Sequence, residues 1–147
     1  MTRWLLAVAL VSAAACSPAS PSGQVGGFLD GTWTGTITIT PSGQAPTTGP
    51  TTWHFQTMPN TSGLGYVTTI RSQHPFLPAT IERSISAVVA PGIPPAVIST
   101  QGAYESPRGC RGDFGSFGEV DVHSLRADFS GVDCGFQTFT GSVQLSR

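Results

Sequence analysis

Few residues in this chain have both the type and the spacing to do chemistry. Glu119, Asp121 and His123 stand at i, i+2 and i+4. On a strand that spacing puts two carboxylates and an imidazole on one side, where they could ligate a divalent ion. The same pattern describes the solvated side of a strand whose other side is Val120 and Val122. The solvated reading is adopted, and no metal is expected. His54, His74 and His123 are the three histidines. A serine nucleophile would need one of them set between a carboxylate and a serine on a sharp turn. No G-x-S-x-G occurs, so no catalytic residue is assigned and enzymatic activity is not expected. Arg111-Gly112-Asp113 spells an adhesion tripeptide, and Asn60-Thr61-Ser62 fits a glycosylation sequon. Both are short enough to arise by accident in turns rich in Gly and Ser. No motif for a cofactor is present.

The strongest chemical signal is at the start of the chain. Arg3 gives a positive n-region, and Trp4 to Ala15 is an apolar run of twelve residues. A membrane-spanning helix needs ~20 residues, so this run suits a signal peptide. Ala13-Ala14-Ala15 places small residues before Cys16, as a signal peptidase groove requires. The cysteine after that run resembles the lipobox of bacterial lipoproteins, although Ala13 stands where leucine is usual. The resemblance implies diacylglyceryl transfer to Cys16, cleavage before it, and attachment to a membrane through the lipid. Ser17 in place of an aspartate implies sorting to the outer membrane. An ordinary secretory signal cut at the same bond is the alternative. Residues 17–27 (SPASPSGQVGG) have linker composition and cannot build a core. The expected organisation is a signal peptide over 1–15, a lipidated cysteine and flexible linker over 16–29, and a folded domain over 30–147.

An exported chain meets an oxidising compartment, so Cys110 and Cys134 are expected to form a disulfide. A metal or redox pair is the competing reading. It lacks a C-x-x-C spacing and further thiols.

All seven basic residues are arginine, against eight acids, for a formal net charge of −1. So near-neutral a balance offers no electrostatic funnel for a phosphate backbone, and nucleic acid is excluded as a partner. Eighteen glycines and twelve prolines indicate many turns.

Those turns separate segments of period two, the periodicity of strands. Residues 31–40 (GTWTGTITIT) set Trp33, Gly35, Ile37 and Ile39 on one face and threonines on the other. Further strands are expected at 51–58, 64–71, 96–104, 117–123, 125–131 and 137–145. The proline-rich stretch 73–95 is looser; a strand is expected at 84–89, with a short helix over 80–89 as the alternative. Seven or eight short strands argue for a barrel or a sandwich. The expected fold is all-β, an up-and-down antiparallel barrel of about eight strands, with a β-sandwich as the alternative.

Gly31-Thr32-Trp33 is a G-x-W at the head of the first strand. It resembles the opening motif of lipocalin-type barrels. That likeness implies that Trp33 plugs the closed end and that Arg147, at the end of the last strand, packs across it. The run Leu125 to Arg147 is also similar to small lipoproteins of lipocalin-like shape. Residues expected to line a cavity are Gly35, Ile37, Trp53, Phe55, Tyr66, Phe129, Phe139 and Gly141, the two glycines leaving room. The implied function is a cell-envelope lipoprotein that binds a small apolar ligand. The alternative is a structural or protein-interaction lipoprotein with a filled core. Replacing Cys16 by serine tests the anchor: the variant is expected in the soluble fraction of a cell extract, and a variant still sedimenting with membranes refutes lipidation.

Overall fold

The computed structural model describes residues 27–62, 64–90 and 95–147. The expected signal peptide, Cys16 and nearly all of the expected linker lie outside them. Eight antiparallel strands follow in order: β1 Gly31–Pro41, β2 Thr47–Thr57, β3 Gly65–Ser72, β4 Thr80–Ala90, β5 Ala96–Glu105, β6 Arg111–Val120, β7 Ser124–Asp133 and β8 Gln137–Ser146. Each pairs with its sequence neighbour, and β8 returns to β1, so the sheet closes. Closure removes the two edges that an open sheet would expose. Among the described residues one 3-10 turn, Gly27–Leu29, precedes β1.

Alternation decides which residues enter the core. Trp33, Ile37 and Ile39 of β1, Trp53 and Phe55 of β2, and Leu125, Ala127 and Phe129 of β7 are all buried. Thr32, Thr34 and Thr36 face outward, where β-branched side chains suit an exposed strand surface.

Two departures from simple alternation explain where the sequence reading was displaced. In β4, Ile81, Ser84, Ser86 and Val88 are all buried. The register with β3 shifts between Thr68 and Ile70, opposite Ile81 to Ser84, and Arg83 has φ 58°. A bulge there adds one residue and flips the phase. The strand therefore runs from Thr80, where period two alone supports only 84–89. At the other site, β6 ends at Val120, not at 123. Asp121 turns the chain: its Oδ1 accepts the N–H groups of His123 and Ser124, each at 2.7 Å. The strand face proposed for Glu119, Asp121 and His123 does not form, and Val122 is 50 % exposed on the turn.

The interior is filled by an arrangement that sequence spacing did not disclose. Four aromatic rings stand directly across the sheet from four glycines. The pairs are Phe114 with Gly102 and Tyr104 with Gly112, and Phe129 with Gly141 and Phe139 with Gly131. A Cβ on any of these glycines would run into the ring opposite. Each glycine thus gives up its side-chain volume to an aromatic neighbour. Gly141 leaves no free room, because Phe129 occupies it. At Gly35 a Cβ would meet the backbone of Gln144 and Leu145. That position lets β1 and β8 approach at the closing seam.

One end is sealed by Trp33. Its Nε1–H donates to the carbonyl of Leu29 at 2.9 Å. The Arg147 guanidinium lies 4.6 Å from the ring centre, within cation–π range. Arg147 also donates from Nε to the Val122 carbonyl at 2.9 Å and from a terminal nitrogen to the Asp30 carbonyl at 3.3 Å. Phe55 meets Trp33 and Tyr66 edge to face, with ring centres 6.4 and 6.1 Å apart. Trp33→Ala is expected to cost ~3–5 kcal/mol of unfolding free energy, the usual loss for a buried aromatic. Urea titration would measure it, and a near-neutral change would remove Trp33 from the core.

Candidate functional site

The opposite end is closed by a loop instead of by strands. Residues 73–79 join β3 to β4 across the mouth, and Leu77 of this loop is buried. Beneath it lies a pocket with an apolar lining. Ile37 and Trp53 come from β1 and β2, Ile70 and Ile81 from β3 and β4, and Phe114, Phe129 and Phe139 from β6 to β8; Leu77 completes it. The open volume inside is about 10 Å³, at most the room of one water. With Leu77 in place the mouth is plugged.

Polar contacts at its margins hold the plug. His74 is buried, and Ser72 Oγ accepts its N–H at 3.0 Å. The His74 ring accepts the Phe76 N–H at Nδ1, 3.2 Å away. A nitrogen that accepts cannot carry the proton, which places it on Nε2. Nε2 lies 3.0 Å from the Thr47 carbonyl and 2.7 Å from its hydroxyl. Phe76 then leans edge-on against Phe139, ring centres 5.2 Å apart, while Arg108 covers Phe76 at 5.5 Å.

Arg108 links the plug to the most polar part of the barrel. It pairs with Asp133, which is fully buried and also accepts the Ser106 hydroxyl at 3.0 Å. The Cys110–Cys134 disulfide lies beside them and joins the β5–β6 connection to the turn after β7, 24 residues along the chain. Closing such a loop is worth about 3.5 kcal/mol in the chain-entropy account. Nothing in the spacing of Ser106, Arg108 and Asp133 marks them as a cluster; the disulfide is the one sequence signal that brings the two loops together.

A second polar group lies on the wall of β3, β4 and β5. Thr68, Ser86 and Thr100 face inward and form a hydroxyl chain, 2.6 and 2.7 Å between oxygens. Two polar atoms are buried near the pocket without a hydrogen-bond partner among the described residues, Trp53 Nε1 and Ser84 Oγ.

Of the residues expected to line a cavity, Ile37, Trp53, Phe129 and Phe139 surround this pocket. Phe55 and Tyr66 lie toward the end sealed by Trp33. Gly35 and Gly141 sit at backbone and ring contacts. His54, His74 and His123 are not brought together: His54 meets Thr32 on the outer wall at 3.2 Å, and His123 is exposed on the β6–β7 turn. Leu77, which forms the plug, has no signal in the sequence, because a proline-rich segment gives no periodicity to read, and His74 stands out there only as one of three histidines.

No family model matches the sequence, and no curated protein matches it significantly. Among solved structures, that of EF1p2_mFAP2b bound to DFHBI is similar, with a TM-score of 0.52 and 17 % identity over 84 % of this chain and 97 % of that one. At that identity the likeness is one of fold, an eight-stranded antiparallel barrel.

Tyr66 gives the interior a measurable pH signature. Burial, and then the nearby Asp30 carboxylate, push its phenol from an ordinary 10.0 up to about 12. Tyr104 is raised further, by burial and then by Asp133. A raised pKa means that the folded state favours the neutral phenol. The associated stability is complete below pH ~10 and is lost as pH rises toward 12. The two tyrosines are therefore expected to show no phenolate absorbance near pH 10 while the barrel is folded. Tyr66→Phe should move alkaline unfolding to higher pH. A folded protein whose tyrosines titrate near 10 would contradict the burial argument.

Proposed function

We propose that this protein is a lipid-anchored barrel of the bacterial cell envelope, tethered through Cys16, that takes a small apolar molecule into its mouth. The observation that carries the proposal is the pocket beneath Leu77, whose lining is apolar throughout and whose cover is a loop side chain. Side chains on a connecting loop can move without breaking a ladder hydrogen bond, whereas the strands cannot. Swinging Leu77 out would free its own volume above Trp53 and the phenylalanines. A fold neighbour that is bound to DFHBI supports the idea that a barrel of this size has room for one small molecule. Export and lipid attachment rest on the Cys16 motif, and the Ser/Pro/Gly composition of residues 17–27 suits a tether between bilayer and barrel.

A second reading keeps the anchor but makes the barrel a filled structural or interaction module. The void of about 10 Å³ and the four ring-over-glycine pairs favour it. The two separate by titration with an environment-sensitive apolar dye such as Nile red. If the mouth takes ligands, the native protein binds the dye and Leu77→Ala binds it at least several-fold more tightly, while Trp33→Phe at the sealed end leaves the affinity unchanged. Absence of binding in both the native protein and a folded Leu77→Ala variant would establish the filled-core reading.

A further inference from the structure

The outer wall of the barrel carries a feature that the interior does not explain. Phe117 points outward from the middle of β6 and is 63 % exposed. It is not on an edge, since β6 is paired on both sides. Two open depressions of about 720 and 450 Å³ adjoin there and share Phe117, Asp128 and Ser142 in their walls. Strand register explains the alignment. Ser99, Phe117, Asp128, Ser142 and Thr38 lie in one row straight across five strands. Their spacing is the strand separation of ~4.8 Å. On one side of Phe117 stands Gly115, where an added Cβ would meet no atom within 4 Å. The glycine leaves that side of the ring open to the first depression. On the other side Glu119 is paired across the sheet with Arg126, so their opposite charges offset.

We propose that this wall is a carbohydrate-binding surface for an uncharged oligosaccharide chain. The chemistry is that of a sugar's two faces. The C–H face of a pyranose ring is apolar and stacks on an exposed aromatic ring. The hydroxyls around its rim need planar and hydroxylic partners, which Asp128, Gln101, Ser142 and Gln144 supply. A phosphate-bearing or strongly acidic ligand would find one arginine already offset by a glutamate. A protein partner would leave this many exposed hydroxyls to be desolvated at its interface, which costs free energy unless each is paired. The surface is independent of the interior pocket, so it stands whether or not the mouth takes a ligand.

Titration of the ¹⁵N-labelled protein with chitohexaose, maltohexaose and cellohexaose tests the assignment. At least one is expected to shift the amides of Phe117, Asp128 and Ser142. Phe117→Ala should weaken binding by roughly tenfold or more, the loss usual for an aromatic anchor. Phe117→Tyr should retain it, and Gly115→Val should obstruct it while leaving the fold intact. Phe136→Ala, which removes another exposed ring at the far β7–β8 turn, should change nothing. The proposal is overturned if none of the three probes shifts these amides, or if the shifts survive Phe117→Ala. Concentration-dependent self-association abolished by Phe117→Ala, with no response to the sugars, would assign the face to a second copy of the chain instead.

Discussion

The width of an eight-stranded cylinder governs everything else in this molecule. Such an interior is just wide enough for its own side chains, so each inward position competes with the one across from it for the same space. The chain resolves the competition by pairing rings with glycines. Tyr104, Phe114, Phe129 and Phe139 each face a residue with no side chain. The result is dense packing in the half of the barrel nearest the mouth without forcing rings into one another. The same constraint accounts for Gly35, where it is the neighbouring backbone of β8 that needs the space.

The two ends of the cylinder are closed by different means. At one, aromatic side chains from the strands seal the barrel, with Trp33 held between the Leu29 carbonyl and the Arg147 guanidinium. At the other, a loop drops Leu77 onto the apolar interior and is fastened at its rim by His74, Phe76 and Arg108. The disulfide and the buried Asp133 brace the loops beside the plug, so the mouth's movable part is small and well defined. This asymmetry is why the proposed ligand would enter at the mouth.

How far the sequence could be read follows from how local each signal is. The core faces of β1, β7 and β8 were legible because period two is undisturbed there, and Trp33, Ile37, Phe129 and Phe139 fall where alternation puts them. In β4 one extra residue at the bulge reverses the phase, so Ile81 and Ser84 share a face that no two-residue repeat can indicate. At the end of β6 an aspartate turn breaks the strand just where Val120 and Val122 suggest that it continues. The plug was not legible at all, since Pro75 and Pro78 suppress any repeat.

By itself the sequence determined the class of fold and the pairing of its cysteines. It also carries a Cys16 run that resembles a lipobox and a near-neutral charge balance. These depend on composition, local alternation and short motifs, which need no knowledge of distant neighbours. The tertiary structure decided which glycines lie under which rings, that Leu77 stoppers the mouth, and that Ser99, Phe117, Asp128, Ser142 and Thr38 align across five strands. Those are matters of register between segments up to about a hundred residues apart. Register is set only when the sheet closes on itself and every strand's inward face must fit the same narrow interior.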